Sequence, residues 1–181
     1  MIVREKCPII VDYYPYADSI RDKIIGDCDK VSFTKDVINW DGGRTNVVAN
    51  QTKPMKSVKR FPSVKMLLNF IINLIKNGDY LQSKHIPYEV DHFWISKYEK
   101  GDYTHAHHHY PSAWSFVYFV TTPKGSSPLV FPTSGKRIKA EEGKVVVFPG
   151  HLEHSVPKNK CDGRMVVAGN IMYPYRPYVE C

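Results

Sequence analysis

The sequence is poor in cysteine and has no long apolar run. Its four cysteines are scattered, with no Cys-x-x-Cys pair, and a chain of 181 residues can bury a core without disulfides. We therefore expect these thiols to be reduced and the protein to be cytoplasmic. The longest apolar stretch, 67–75, covers only nine residues and contains two asparagines, so it is too short to cross a bilayer. Charged residues close to the N-terminus argue against a signal peptide, and we expect no membrane association.

The chain also lacks internal repeats and, apart from a histidine run at 105–109, low-complexity tracts. Its length predicts one domain spanning 1–181, on the usual prior of about 150 residues per domain. Apolar residues make up 43% and charged residues 24%, which is the composition of a globular protein and excludes a disordered or collagen-like one. The net charge of +7 is compatible with a nucleic-acid partner, but a soluble surface of ordinary charge explains it equally well.

Helical periodicity is clearest in the first half of the chain. Apolar residues recur every three to four positions across 63–77, where Ser63 can cap the start of a helix and Gly78 can end it. A shorter helix is predicted over 18–25. The longer helix is amphipathic, so we expect it to cover one face of a sheet.

After residue 88 the pattern changes to short runs rich in valine, isoleucine and aromatic residues, separated by turn residues. This spacing is typical of an all-β sandwich or barrel. Helical support over roughly 1–88 and a β core over roughly 89–175 predict an α+β fold with helices packed on one face. The predicted strands are 90–98, 114–121, 128–131, 145–148 and 165–172, and the predicted loops of the first half are 41–44 and 50–54.

Histidine clustering is the strongest chemical signal in the sequence. Six of the eight histidines lie in two short clusters next to predicted strands. In an extended chain residues two apart share a face, so His107 and His109 can both point inward while His108 points away. His105 has the same parity as His107 and is the nearest competitor for a place in the site.

The second cluster follows the predicted strand 145–148, and Pro149 and Gly150 turn the chain back before His154. Two imidazoles at one strand entrance and a third after a later turn can hold a metal ion at three positions and leave the others open. Two plainer interpretations stay open, because a histidine-rich loop can be merely solvated and His154 alone can be structural. A structural zinc site is disfavoured, since Cys161 is the only cysteine near either cluster.

Six segments of the second half follow one another in a characteristic order. They are Gly101-Asp102-Tyr103, His107-x-His109, 115–120, 128–131, 148–154 and 164–170. Together they resemble the 2-oxoglutarate- and Fe(II)-dependent oxygenases, and in particular a compact His-x-His branch that is similar to prolyl hydroxylases and common in bacteria and phages. The resemblance covers roughly 90–173. It implies a double-stranded β-helix, or jelly-roll, as the core and, for a phage protein, the host cytoplasm as the compartment.

The resemblance also implies a ligand set. The ligands of Fe(II) would be His107, His109 and His154, with O2 as the oxidant. Arg164, ten residues beyond the last of these histidines, would bind a carboxylate of the cosubstrate 2-oxoglutarate. A guanidinium inside a β-barrel is costly unless a carboxylate meets it, and its planar fork suits bidentate binding. The alternative for Arg164 is a surface ion pair with Asp162.

The sequence departs from most of this superfamily, in which a carboxylate stands where this chain has His109. The only His-x-Asp or His-x-Glu triplet is His151-x-Glu153, which overlaps the distal motif and has no usable histidine after it. Three neutral imidazoles leave iron as a 2+ rather than a 1+ centre, which is expected to raise its reduction potential. The serine often found two residues after the arginine is replaced by Val166.

Further cosubstrate contacts are less specific in the sequence. The tyrosine that often holds the same carboxylate in this superfamily falls at Phe119 here, so a neighbour has to substitute. If Arg164 faces the barrel, strand parity places Asn170 on the same face, where a satisfied core amide is the plainer interpretation. The expected contacts besides the arginine are Ser115, Tyr118 and Asn170, with Trp94 or Ser96 lining the pocket.

These features predict an oxygenase that hydroxylates a C–H bond and releases succinate and CO2. A peptide is the first choice of substrate because the layout resembles prolyl hydroxylases, and a nucleic acid is the alternative that the charge slightly favours. Two other classes stay open. One is a cupin-type enzyme with three histidines, although the glutamate expected shortly after His109 is absent. The other is a non-catalytic β-barrel that serves as an interaction module. The aromatic tail 173–178 is expected to be an ordinary packed C-terminus.

Overall fold

A computed structural model describes residues 7–38, 45–78 and 86–174 of the chain. These residues form antiparallel β-sheets and two α-helices, as the α+β prediction requires. The loop predicted at 41–44, His85 and the end of the aromatic tail from residue 175 onward lie outside the described residues. None of the helices in the described ranges is long and apolar enough to cross a membrane.

Eleven strands, two α-helices and one short 3-10 helix follow one another along the described residues. The elements of the first half are β1 (Ile10–Tyr13), α1 (Ala17–Cys28), β2 (Val47–Val48), β3 (Asn50–Gln51), the 3-10 helix Val58–Arg60 and α2 (Val64–Asn77). The elements of the second half are β4 (Glu89–Tyr98), β5 (Tyr103–His107), β6 (Trp114–Thr121), β7 (Leu129–Phe131), β8 (Lys136–Ile138), β9 (Lys144–Pro149), β10 (His154–Val156) and β11 (Arg164–Met172).

The strands form two antiparallel sheets. The larger has six strands in the order β1-β9-β6-β11-β4-β3, and the smaller has five in the order β2-β5-β10-β7-β8. In the larger sheet β11 pairs with β4 on one side and with β6 on the other over most of its length. In the smaller sheet β5 and β10 are neighbours although they are far apart in sequence. This pairing brings the two histidine clusters together.

The larger sheet is buried on both faces, which explains why β6 and β11 are almost continuous apolar runs. One face packs against the helices, where Tyr118 shares an apolar cluster with Ile71 of α2. The other face packs against the smaller sheet through a second cluster that contains Phe119, Phe131 and Phe148. Full burial of one such side chain stabilises the fold by about 1.5–3 kcal/mol, so these two clusters hold the layers together.

Helix α2 confirms the predicted amphipathic helix, but the predicted role of Ser63 is wrong. Ser63 has helical backbone angles, φ −58° and ψ −32°, and its side chain makes no cap hydrogen bond. Its hydroxyl donates instead to Oδ2 of Asp27 at 2.7 Å, which joins α2 to α1. A tertiary partner has therefore replaced the local one. Gly78 follows the last helical residue as predicted.

The five predicted strands correspond to β4, β6, β7, β9 and β11, and their ends differ from the prediction by one residue at most. The helix predicted over 18–25 is longer and spans Ala17–Cys28. Six further strands of two to five residues were not predicted, and one of them, β3, falls inside the predicted loop 50–54. Strands this short carry too few alternations to be distinguished from loops. Two of the six, β5 and β10, contain His107 and His154.

Candidate metal centre

Three histidines meet where β5 and β10 pair. His107 ends β5, His109 follows two residues later, and His154 begins β10. The antiparallel register places His154 directly opposite His107. One ligand atom from each ring lies within 4.8 Å of the others, and the ring centroids are 4.4 to 5.0 Å apart. The three rings could hold one metal ion, for which the usual metal–imidazole distance is about 2.1 Å.

A β-bulge in β5 decides which histidines face this point. The register advances by two residues in β10, from His154 to Val156, but by three in β5, from His107 back to Thr104. Thr104 and His107 both line the same cavity, while His105 is exposed. Bulges next to functional sites commonly re-aim side chains in this way. The parity argument that made His105 a competitor is therefore wrong for this strand.

The other members of the two clusters stay outside the site. His108 is exposed, and its Nδ1 accepts the backbone N–H of Tyr110 at 3.3 Å. His151 and Glu153 are both exposed as well. The His151-x-Glu153 triplet is thus absent from the cluster that the three buried or half-buried histidines form.

Backbone carbonyls fix the orientation of two of the three rings. Nδ1 of His107 donates to the carbonyl of His105 at 2.8 Å, and Nδ1 of His154 donates to that of Leu152 at 3.1 Å. A carbonyl only accepts, so Nδ1 carries the proton in both rings and Nε2 keeps its lone pair for a metal. Histidines that bind metals usually have such a partner on the second nitrogen.

Burial keeps the three imidazoles neutral. Desolvation is the main cause that lowers the pKa of His107 below 6.5 and the pKa of His109 well below it, and His154 lowers that of His109 further. The pKa of His154 falls to about 3, again mainly through burial and then through His107. The neutral imidazole is the form that binds metal ions. A cation that binds at neutral pH therefore does not have to displace the extra proton of an imidazolium ring.

Arg164, the first residue of β11, is only 1% exposed. Its Nε donates to the carbonyl of Ser127 at 3.1 Å, and the guanidinium lies 4.5 Å from the ring centroid of Tyr98. Its Nη1 has no hydrogen-bond partner, and no carboxylate of the described residues forms an ion pair with it. The surface ion pair with Asp162 does not form, because Arg164 is buried whereas Asp162 is exposed and accepts the backbone N–H of Lys100.

One cavity connects the three histidines with Arg164. Apolar side chains from both sheets form most of its lining, and the lining also includes Ser96, whose Oγ is buried without a partner. A buried charge without a counter-ion costs several kcal/mol, and a buried hydroxyl without a partner costs about 1–3 kcal/mol. A carboxylate bound beside Arg164 would supply the missing counter-ion, and Ser96 lies on the same face of β4 as Tyr98, which is opposite Arg164. The residues present therefore fit a ligand with a carboxylate at one end and metal-binding oxygens at the other.

The cavity is narrow. Its volume is about 40 Å³, so its lining has to widen for any ligand larger than a few water molecules. A wider groove of about 740 Å³ lies between α1 and the start of α2, but it is open and contains no histidine. The narrow cavity is the candidate site, because it contains Arg164 and the three histidines that could hold a metal ion.

The neighbours of Arg164 were only partly predicted. Trp94 and Ser96, grouped by strand parity, both line the cavity. Tyr98 belongs to the same face of β4 and lies opposite Arg164 in the register, but was not singled out. Its hydroxyl shares a hydrogen bond of 2.7 Å with Oγ1 of Thr104. Extending the parity of β4 by one more step would have found Tyr98, whereas nothing in the sequence indicates Thr104.

The expected cosubstrate contacts at Ser115, Tyr118 and Asn170 are not placed beside Arg164. Tyr118 lies on the helix-facing side of the sheet, with its ring 6.2 Å from that of Tyr14, and its assignment is wrong because alternation along β6 turns it away. Ser115 donates to Oδ1 of Asn170 at 2.9 Å. Asn170 lies six residues along β11 from Arg164, about 20 Å away. Asn170 instead lies beside His109, with its Nδ2 3.5 Å from Nδ1 of that ring.

Gly150 holds the turn between β9 and β10. Its carbonyl accepts the N–H of His109 at 2.7 Å, and its own N–H donates to the carbonyl of Ala113 at 3.1 Å. A Cβ at this position would lie 2.2 Å from the carbonyl oxygen of Ser112, so only glycine allows the approach. The turn therefore ties the His109 segment to the strand that precedes His154.

No protein-family model and no curated protein matches the sequence, but solved structures match the fold. The viral collagen prolyl hydroxylase of Paramecium bursaria Chlorella virus-1, in complex with 2-oxoglutarate, aligns with a TM-score of 0.69 at 15% identity, covering 90% of this chain and 94% of that chain. A Trichoplax adhaerens prolyl hydroxylase in complex with a hypoxia inducible factor peptide fragment gives 0.68 at 11% identity, covering 90% and 82%. A Pseudomonas putida prolyl-4-hydroxylase gives 0.66 at 12% identity, covering 92% of each chain. The chain therefore has the fold of the prolyl hydroxylases and related 2-oxoglutarate/Fe(II) oxygenases, which confirms the resemblance at the level of the fold.

Proposed function

We propose that this protein is an Fe(II)- and 2-oxoglutarate-dependent dioxygenase that hydroxylates a C–H bond of a peptide. One observation carries the proposal: a single cavity contains three convergent histidines and a buried guanidinium with an unpartnered nitrogen. A metal enzyme without a carboxylate cosubstrate, such as a cupin-type enzyme, leaves the charge of Arg164 uncompensated. A non-catalytic module requires neither the metal ligands nor the arginine.

Each side chain of the cavity has a role in this proposal. His107, His109 and His154 bind the iron, which together with 2-oxoglutarate and O2 supplies the oxidising power to convert R–H into R–OH with release of succinate and CO2. Arg164 binds the far carboxylate of 2-oxoglutarate through its unpartnered Nη1, and Ser96 donates its hydroxyl to the same group. The apolar lining excludes water and strengthens both interactions.

The missing carboxylate ligand changes the electrostatics of the centre. Three neutral imidazoles leave the full 2+ charge of the ion, and no acidic side chain of the described residues belongs to the metal-binding cluster. A dianionic cosubstrate should therefore bind more strongly here than at a centre with one carboxylate ligand, and the reduction potential should be higher. The missing carboxylate is therefore expected to change the cosubstrate affinity and the reduction potential but not the type of reaction.

A peptide is the proposed substrate. Support comes from the similar structures, one of which contains a peptide fragment of hypoxia inducible factor. In this chain Tyr110, which follows His109, is 76% exposed, and the half-buried Trp94 lines the cavity. Flat aromatic surfaces of this kind suit a proline ring or another apolar side chain.

We also infer that β4 to β11 form a double-stranded β-helix within a single domain of 1–181. In the larger sheet these strands have the order β9-β6-β11-β4, and in the smaller sheet β5-β10-β7-β8. The chain thus crosses between the sheets at almost every connection, which is the winding expected of a jelly roll with eight strands. The same winding makes β5 and β10, which contain His107 and His154, neighbours in the smaller sheet.

The proposed function is tested by incubating the purified protein with Fe(II), ascorbate, O2 and labelled 2-oxoglutarate, with and without proline-containing peptides. Succinate formation is expected in the wild type and should be lost in Arg164→Ala. Arg137→Ala is the matched control, since Arg137 is exposed on β8. Oxygen uptake that does not depend on 2-oxoglutarate would favour the cupin-type alternative. The absence of both metal binding and turnover would leave only the non-catalytic module. Stimulation by an oligonucleotide but not by peptides would overturn the substrate class.

A further inference from the structure

A chain of hydrogen-bonding side chains leads from the metal centre toward the surface. Asn170 is 5% exposed, and its Nδ2 lies 3.5 Å from Nδ1 of His109 and 3.2 Å from Nε2 of His92. Its Oδ1 accepts the hydroxyl of Ser115 at 2.9 Å. Nδ1 of His92 lies 2.6 Å from Oδ2 of Asp91 and donates to it. Ser115 and Asn170 were expected to contact the cosubstrate, and the proposed function gives no role to any of these four side chains.

His109 differs from the other two candidate ligands in its outer partner. Nδ1 of His107 and of His154 each meets a backbone carbonyl, which can only accept. Nδ1 of His109 meets a side-chain amide, whose two ends have nearly the same shape but opposite hydrogen-bonding character. For His109 to bind a metal through Nε2, its Nδ1 must carry the proton and needs an acceptor. Among the described residues, Asn170 is the hydrogen-bonding partner found at this nitrogen.

We propose that Asn170 is a positioning residue for His109 and that its amide rotates by about 180° when the metal binds. The proposal rests on the metal site of the proposed function. In the rotated orientation Oδ1 accepts the proton on Nδ1 of His109, and Nδ2 donates to Oγ of Ser115. Nε2 of His92 then loses the amide N–H and is hydrogen-bonded by solvent instead, since this side chain is 24% exposed, and Nδ1 still donates to Asp91. Ser115 stays bonded to the amide in both orientations, so the rotation leaves neither end of this buried amide without a partner.

Two substitutions separate the acceptor role from simple packing. Asn170→Asp keeps the shape of the side chain but has only acceptor atoms, so it is already in the metal-binding state. Asn170→Leu fills similar space without any hydrogen-bonding atom. Asn69→Leu is the control for the loss of an amide, because Asn69 is exposed on α2. We expect Asn170→Leu to bind Co(II) about 10- to 100-fold more weakly than the wild type. Asn170→Asp should bind at least as tightly as the wild type, and the control should be unchanged.

The experiment measures Co(II) affinity from the visible absorption of the bound ion, and the protonation of the histidine nitrogens in the Zn(II)-loaded protein by long-range proton–nitrogen NMR. The NMR spectrum should show His109 protonated at Nδ1 and metal-bound at Nε2. Wild-type affinity in Asn170→Leu, or a His109 bound through Nδ1, would overturn the proposal. If Asn170→Leu does not fold, the Asn170→Asp affinity and the wild-type spectrum decide. Normal Co(II) binding without turnover of 2-oxoglutarate would refute the proposed function but leave this inference intact.

Discussion

Replacing Arg164 by methionine is expected to remove 2-oxoglutarate binding without unfolding the protein. The substitution loses a charge-assisted hydrogen bond to Ser127, worth about 1.5–3 kcal/mol, and the contacts of the guanidinium with Tyr98 and Phe119, worth up to about 2 kcal/mol. It also removes a buried charge without a counter-ion, which costs several kcal/mol. These effects oppose each other, so we expect the free energy of unfolding without ligand to change by less than about 2 kcal/mol.

No opposing contribution offsets the loss of 2-oxoglutarate affinity in Arg164→Met. Truncating one partner of a buried, hydrogen-bonded charge pair costs about 2–5 kcal/mol, which weakens the affinity about 30-fold to several thousand-fold. The assay is urea unfolding of the Mn(II)-loaded protein with and without 2-oxoglutarate. At 100 times its dissociation constant, the ligand should stabilise the wild type by about 2.7 kcal/mol. Arg164→Met should show almost no stabilisation, while Arg137→Met, on the surface of β8, should behave like the wild type.

Two results would refute this reasoning. If Arg164→Met is stabilised by 2-oxoglutarate as much as the wild type, the guanidinium does not bind the cosubstrate. If the variant fails to fold, the guanidinium is required for structure, and its unpartnered nitrogen is no indication of a ligand. Arg164→Lys distinguishes charge from geometry, since a lysine keeps the charge but lacks the planar fork that binds a carboxylate through two hydrogen bonds.

Three further predictions concern the surroundings of the site. Because burial lowers the pKa of His154 from 6.5 to about 3, the unfolded chain binds more protons than the native one below pH 6.5. The metal-free protein should therefore lose stability as the pH falls from 6.5 toward 3. Urea unfolding at pH 7.5 and at pH 5 measures this loss, which should be smaller in His154→Asn and unchanged in the exposed control His105→Asn. Gly150→Ala should lower the unfolding free energy by about 1–3 kcal/mol or more and weaken Co(II) binding, since its Cβ meets a carbonyl oxygen. By contrast, Gly26→Ala should raise the free energy of unfolding by about 0.5–1 kcal/mol, because a Cβ on this residue of α1 meets no atom within 4 Å. Equal effects of the two alanine substitutions would contradict the packing argument. Ser96→Ala should leave the metal-free protein at least as stable as the wild type, because the lost hydroxyl is buried without a partner. The same substitution should weaken 2-oxoglutarate binding in a calorimetric titration, and unchanged binding would exclude the hydroxyl from the site.

Long elements with a regular apolar pattern were predictable from the sequence. Helix α2 and the strands β4, β6, β9 and β11 have enough residues for their apolar pattern to be recognised, and they contribute most of the buried clusters. The three-residue β7 was predicted because all of its residues are apolar. The start of α2 was not predicted correctly, because Ser63 donates to Asp27 of another helix. A capping pattern contains no information about a partner that is distant in sequence.

The candidate metal ligands were identified by residue type and spacing, whereas the wall of the cavity was identified only in part. Imidazoles at 107, 109 and 154 are unusual enough in combination to be singled out, and the structure brings these three together. Tyr118 was assigned from its position beside Phe119, but alternation along β6 turns it toward the helices. Thr104 was not predicted because its place depends on how β5 bends, whereas the parity of β4 does indicate Tyr98.

The sequence by itself determined the chemistry that is present: three imidazoles and one arginine at spacings that place each beside the end of a strand. The tertiary structure alone decided which of these groups share a space. A single extra residue in β5 turns Thr104 and His107 inward and leaves His105 in solvent, and strand pairing sets Asn170 beside His109 rather than beside Arg164. The reason is physical, because a one-residue change in register reverses the face of every side chain that follows, and register is set by contacts between distant segments.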